Sequence, residues 1–171
     1  MQRLILLRHA KAERQAESGE DFDRPLSGRG LADARLMGQV LFDAGLRPTL
    51  ALVSAARRTR ETWEQVQAAF PEPAAIRIEQ SLYSASSPML RRKVEELEGR
   101  EGVLVIVGHN PGLHQFALDL LIEGAAPASA VSRAAARFPP ASAAVFAFDA
   151  AGRPCDDGLY FAADYGGRGA E

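Results

Sequence analysis

Short aliphatic runs alternate along this chain with longer stretches in which apolar residues recur every three or four positions. Leu4-Ile5-Leu6-Leu7 is the first run, unbroken by polar residues, as in a strand buried on both faces. A polar loop follows over Asp21 to Leu26. Ser27 then caps a helix predicted from Gly28 to Ala44, with Leu31, Ala34, Met37, Val40 and Leu41 on its inner face and Gly45 as its stop. Pro48 leads into a second buried strand, Leu50 to Val53. A helix is predicted from Arg57 to Phe70, ended by Pro71 and Pro73. Ile76 to Glu79 reads as a short strand. Pro88 to Glu98 reads as a helix that turns Leu90, Val94 and Leu97 inward. Val103 to Val107 is wholly aliphatic and mostly β-branched, the strongest strand signal in the chain. Pro111 opens another helix, with Asn110 as its cap and Phe116, Leu120 and Leu121 inside. The Ala- and Pro-rich stretch from Ala125 to Ala143 reads as a long connection. Ala144 to Phe148 is a last strand, with Cys155 to Phe161 antiparallel to it.

Strand and helix alternate, which predicts an α/β fold, a three-layer α/β/α sandwich around a mostly parallel sheet. The 171 residues suit a single domain, expected over residues 1–165, with a frayed tail at 166–171. A formal charge of −2 argues against a surface that wraps nucleic acid, so any basic site must be local. The single cysteine, Cys155, excludes an internal disulfide and a multi-thiolate metal centre within one chain. The N-terminal apolar run is closed by Arg8 and Lys11, too soon for a signal peptide. A cytoplasmic protein without membrane contact is the expectation.

In open α/β sheets, ligands collect at the carboxyl ends of the strands. Three strands here end in reactive residues. The first ends in Arg8-His9, and the second in Ser54, closely followed by Arg57-Arg58 and Arg60. The central one ends in Gly108-His109-Asn110-Pro111. Two histidines and at least two arginines therefore converge on one sheet edge. Three cations in the first turn of a helix oppose its dipole. A bound anion would relieve that conflict, and Arg is the side chain best suited to bidentate phosphate contact. A zinc site from His9, His109 and His114 is disfavoured by the neighbouring arginines. His114 reads as a packing or capping residue. No metal and no cofactor are expected.

The residues Leu4 to Glu13, LILLRHAKAE, resemble the opening signature of the histidine phosphatase superfamily, the phosphoglycerate mutase-like phosphatases. Ala10 stands where that family usually has Gly. Ser54-Ala55-Ala56-Arg57-Arg58-Thr59-Arg60-Glu61-Thr62 resembles its second element, Ser-Pro-x-x-Arg-x-x-x-Thr, with Ala55 in place of the Pro. That register picks out Arg58 rather than Arg57 or Arg60. Val105 to Leu113, VIVGHNPGL, resembles its third element at His109. Asp23-Arg24-Pro25-Leu26-Ser27 with Gly30, and Phe138-Pro139 near the end, are similar to the small SixA-like branch of phosphohistidine phosphatases.

The resemblance implies a phosphoglycerate mutase-like fold and phosphoryl transfer to a histidine. His9 would be the nucleophile, carrying the phosphoryl group before water removes it. Arg8, Arg58 and His109 would complete the catalytic set. They would also bind phosphate, with Asn110 as a further contact. The family's mutases and larger acid phosphatases supply an Asp or Glu as general acid, and no matching residue stands out here. Glu79 is the nearest candidate. An alkoxide leaving group needs such an acid, worth about 10²–10⁴ in rate, and an imidazole leaving from a P–N bond needs far less. The expected substrate is therefore a phosphohistidine-bearing protein, such as a phosphorelay component. The alternatives are a phosphatase of small monoesters or other phosphoramidates, and a non-catalytic phosphoprotein-binding module.

Overall fold

The computed structural model describes residues 1–169. Six strands form one sheet: β1 (Arg3–Arg8), β2 (Pro48–Ser54), β3 (Ala75–Glu79), β4 (Val103–Gly108), β5 (Ala143–Phe148) and β6 (Pro154–Tyr160). Their order across the sheet is β3-β2-β4-β1-β5-β6. The first four in that order are mutually parallel; β5 pairs antiparallel with β1, and β6 pairs antiparallel with β5 at the edge. β1 and β4, side by side at the centre, put the ends of the first and strongest aliphatic runs next to each other, with Arg8 level with Gly108.

Five helices cover the sheet: α1 (Gly28–Asp43), α2 (Arg57–Gln67), α3 (Ser87–Glu95), α4 (Gly112–Glu123) and α5 (Ala128–Ala136). Strand side chains alternate between faces, and the core divides accordingly. Ile5, Leu7, Ala51, Val53, Val105 and Val107 pack with α1 and α2 residues such as Met37, Leu41, Trp63 and Val66. Leu4, Leu6, Leu52, Leu104 and Ile106 pack with Leu90, Phe116, Leu120 and Phe146 on the opposite face. The result is the three-layer sandwich anticipated from the alternation. Among the described residues, no helix is long and apolar enough to cross a membrane.

Four local expectations need correction. Leu31 lies on the outer face of α1, 38% exposed, while Ala34, Met37, Val40 and Leu41 are buried as predicted. Asn110 does not cap α4. Pro111 holds the cap position without a side-chain bond, and the Asn110 Nδ2 donates instead to the Phe138 carbonyl at 3.0 Å. The stretch from Ala125 to Ala143 contains α5, and its end, Phe138 to Ala143, is buried. Residues 166–169 are tied down: the Arg168 and Gly169 backbone N–H groups donate to the buried carboxylate of Asp33. The rest of the predicted tail, 170–171, lies outside the described residues.

Candidate active site

The residues just after β1 meet those just after β4 and the start of α2, beyond β2, over the carboxyl edge of the sheet. Main-chain bonds fix the backbone of His9: its N–H donates to Gly108 O at 3.1 Å, and its carbonyl accepts from the Ala141 N–H at 3.1 Å. The peptide that follows is fixed as firmly. The Ala10 N–H donates to the Thr62 Oγ1 at 3.0 Å, and the buried Thr62 hydroxyl donates to the Arg58 carbonyl at 2.6 Å. Ala10 is fully buried in the core between the sheet and α1 and α2, so its methyl group fits where a glycine was anticipated.

This peptide sets the state of His9. A carbonyl can only accept, so the 2.7 Å contact between the His9 Nδ1 and Ala10 O places a proton on Nδ1. Nε2 is left with its lone pair. Burial is the main reason that the ring's pKa falls from 6.5 to about 3. The bond to Ala10 O pushes it back up, and the charges of His109, Arg58 and Arg8 push it further down. The ring is neutral at pH 7.

His109 faces His9, with ring centroids 5.3 Å apart. Burial first, and then the charge of Arg58, lowers its pKa to about 4. Its Nε2 is 2.7 Å from the Ser54 Oγ, whereas its buried Nδ1 has no partner among the described residues. The Tyr83 ring packs edge-on against it at 5.6 Å.

Arg58 is held from behind. Nη1 donates to the Asp21 carbonyl at 2.8 Å and Nη2 to the Asp21 carboxylate at 3.1 Å, while the buried Nε has no partner among the described residues. Asp21 also accepts from the Tyr83 hydroxyl at 2.5 Å and from the Arg24 Nε at 2.8 Å. The Tyr83 bond is the main cause that lowers its pKa to about 2, with Arg58 and Arg24 adding to it against a smaller opposing effect of burial. The anion expected at the start of α2 is thus partly supplied by the protein itself. Arg57 takes no part: it is half exposed and pairs with Glu61 one turn along α2. Arg8 donates from Nη1 to the Phe138 carbonyl at 2.8 Å, the same oxygen that receives Asn110.

Together these side chains line a cavity of about 350 Å³, bounded by Arg8, His9, Arg58, His109 and Asn110 with Lys11, Ala12, Arg24 and Pro140. All five residues singled out from the sequence are therefore brought together. Among the described residues, no carboxylate lines the cavity. Glu79 is not part of it: its carboxylate is 2.9 Å from the Lys93 Nζ, whose pKa is raised chiefly by that bond. His114 is elsewhere, stacked on Phe138 and donating to the Ala134 carbonyl. Among the described residues, no three His, Cys, Asp or Glu side chains are grouped as a metal ion would require.

The model of the histidine phosphatase superfamily (branch 1) matches residues 4–85. A protein of Picosynechococcus is 32% identical over 115 residues, covering 67% of this chain and 70% of that one. The chain belongs to the histidine phosphatase superfamily. A chloroplastic protein of Arabidopsis thaliana is 52% identical over 66 residues, a match that spans 39% of this chain but only 30% of the plant protein. Among solved structures, the SixA of Agrobacterium tumefaciens, assigned as a phosphohistidine phosphatase, superimposes with a TM-score of 0.81 at 29% identity. It covers 93% of this chain and 97% of that one. A protein histidine phosphatase SixA in complex with tungstate has the same fold, with a TM-score of 0.76 at 20% identity, over 95% and 99% of the two chains. This member of the superfamily is a SixA-like phosphatase, a hydrolase with a phosphoglycerate mutase-like fold.

Sequence reasoning missed Asp21, Arg24 and Tyr83. Arg24 sits in the segment that resembles the SixA-like branch, which was a signal for it. Asp21 and Tyr83 act through Arg58 across 37 and 25 residues of chain, and nothing local marks them.

Proposed function

We propose that this phosphatase hydrolyses the P–N bond of phosphohistidine on a protein, in a single catalytic domain over residues 1–165. The observation that carries the reading is a cationic cavity with no carboxylic acid to give up a proton. The carboxyl group of Asp21, behind Arg58, stays ionised far below neutral pH under Tyr83 and Arg58, and Glu79 is engaged by Lys93. A phosphate monoester leaves as an alkoxide and lacks its proton donor here. A histidine ring leaves as neutral imidazole.

In the proposed mechanism, the lone pair on the His9 Nε2 attacks phosphorus. The Nδ1–H stays on the Ala10 carbonyl, which steadies the positive charge that the ring gains. The substrate P–N bond breaks with its electron pair moving to the departing ring. Arg8, the Arg58 Nε–H and the His109 Nδ1–H hold the equatorial oxygens, and one Asn110 N–H remains for a fourth contact. A Ser54 hydroxyl donating to the His109 Nε2 keeps the proton on Nδ1, where it can serve as that donor. Water then attacks phospho-His9, the electron pair of the broken P–N bond returns to Nε2, and the phosphate departs as dihydrogen phosphate, which gives up its extra proton to solvent. The likeness to the Agrobacterium SixA supports the same substrate class.

The test is a comparison of kcat/KM for a phosphohistidine peptide and for a phosphoserine peptide, whose alkoxide needs a proton donor, at neutral pH, with trapping of phosphate on His9. Preference for the phosphohistidine peptide by a hundredfold or more is expected. Preference for the monoester would refute the reading.

A further inference from the structure

A second cavity of about 600 Å³ adjoins the phosphate cavity and shares His109 and Asn110 with it. Its walls are the segment from Tyr83 to Pro88 and the start of α4, with Pro111 and Gln115. The two walls are held together closely. A Cβ on Gly112 would come within 1.9 Å of the Ala85 carbonyl oxygen, so only glycine permits this approach. The Ser87 hydroxyl further links the start of α3 to Asp119 on α4 at 2.5 Å.

The chemistry of the two cavities differs sharply. The first carries Arg8, Lys11, Arg24 and Arg58. The second is lined by a phenol, prolines, a methyl group, hydroxyls and amides. Its one imidazole, His109, is kept neutral, and its one phenol, Tyr83, is kept protonated chiefly by its bond to Asp21. Where the two meet, the buried Oδ1 of Asn110 has no partner among the described residues, because the Phe138 carbonyl fixes the amide by its Nδ2. A buried acceptor of this kind calls for an N–H donor.

We infer that this groove is the leaving-group subsite: it takes the substrate histidine and the uncharged residues beside it, and the Asn110 Oδ1 accepts the N–H of the departing ring. The inference rests on the phosphohistidine reading and deepens it. A doubly charged phosphoryl group in the first cavity and a neutral peptide in the second match the two linings. The volume exceeds the needs of one imidazole and falls in the range of about 300–1,000 Å³ that holds a larger ligand. The contact also has a chemical role. A phosphohistidine protonated on its distal nitrogen loses the phosphoryl group to the His9 Nε2, and the electron pair of the broken P–N bond goes to the proximal nitrogen. The ring leaves neutral with its distal N–H still on Asn110. An acceptor at that position favours the protonated substrate, so no acid is needed from the protein.

The test compares a phosphohistidine peptide with phosphoramidate, which has a P–N bond but no ring or peptide. Gln115 is exposed on the groove wall, so Gln115→Trp fills the groove without touching the core. Asn110→Ala removes the acceptor. In both variants the ratio of kcat/KM for peptide over phosphoramidate is expected to fall by about tenfold or more, while thermal unfolding reports an intact fold. An unchanged ratio in a folded Gln115→Trp overturns the inference. If the wild type prefers both P–N substrates to a phosphoserine peptide, that outcome leaves the proposed function standing. A wild type that prefers the phosphoserine peptide removes both.

Discussion

Replacing Arg58 and Arg57 one at a time separates a phosphate-holding arginine from its neighbour. The Arg58 side chain is 7% exposed, with its back fixed on Asp21 and its Nε–H without a partner among the described residues. Arg57 is 51% exposed and pairs only along its own helix. If Arg58 gives a transferring phosphoryl group two charge-assisted bonds, each is worth about 1.5–3 kcal/mol. Arg58→Ala then costs about 3–6 kcal/mol of transition-state binding, or roughly 10²–10⁴ in kcat/KM. A further loss comes from Asp21, whose negative charge would face the substrate without its cation. Arg57→Ala loses one surface pair worth about 0.3–0.5 kcal/mol of stability, and its activity should stay within about twofold. The assay is kcat/KM on a phosphohistidine peptide for both variants, with thermal unfolding as a check on folding. Equal losses, or a folded Arg58→Ala of near wild-type activity, would refute the assignment of Arg58.

Ser54→Ala frees the ring of His109 to place its proton on Nε2 and present a lone pair to the phosphoryl oxygens; kcat is expected to fall tenfold or more with the fold retained, and an unchanged kcat would dismiss Ser54 as the group that orients His109. Stability should drop in mild acid. The folded-state pKa values of His9 and His109, about 3 and about 4, lie below the 6.5 of the free side chain, so the unfolded chain binds more protons as the pH falls from 6.5. From pH 7 to pH 5, His9 alone accounts for at most about 2 kcal/mol, reduced by the solvent that still reaches the ring. Urea unfolding of the wild type and of His9→Asn at both pH values measures this, and an identical pH dependence in the two proteins would contradict it.

Much of the fold was legible because its signals are local. Aliphatic runs such as Val103 to Val107 become central strands, and Ser27 caps α1 through its bond to the Gly30 N–H. Leu31 was misplaced because helical spacing defines a stripe but not its edge. The outer rim of the stripe depends on how closely α2 packs. Asn110 looked like a cap because it precedes Pro111, but a carbonyl from residue 138 competes for its amide. The site residues carried by strand ends, Arg8, His9, Arg58, His109 and Asn110, were visible because the topology brings those ends together. The groups that tune them were not. The acceptor of His9 is a main-chain carbonyl, which any residue at position 10 would supply. The holder of Arg58 arrives on a short helical turn, Asp21–Asp23, inside what reads as a polar loop.

The central place of β1 governs when this enzyme can become active during its own synthesis. β1, which leads into the proposed nucleophile His9, precedes the other five strands of the sheet, and its two neighbours there, β4 and β5, follow roughly a hundred residues or more later. The oxygen that anchors Arg8 belongs to residue 138. A nascent chain therefore emerges with His9 exposed but unsupported. Catalytic competence therefore waits until the second half of the chain inserts beside the first and closes the sheet around it.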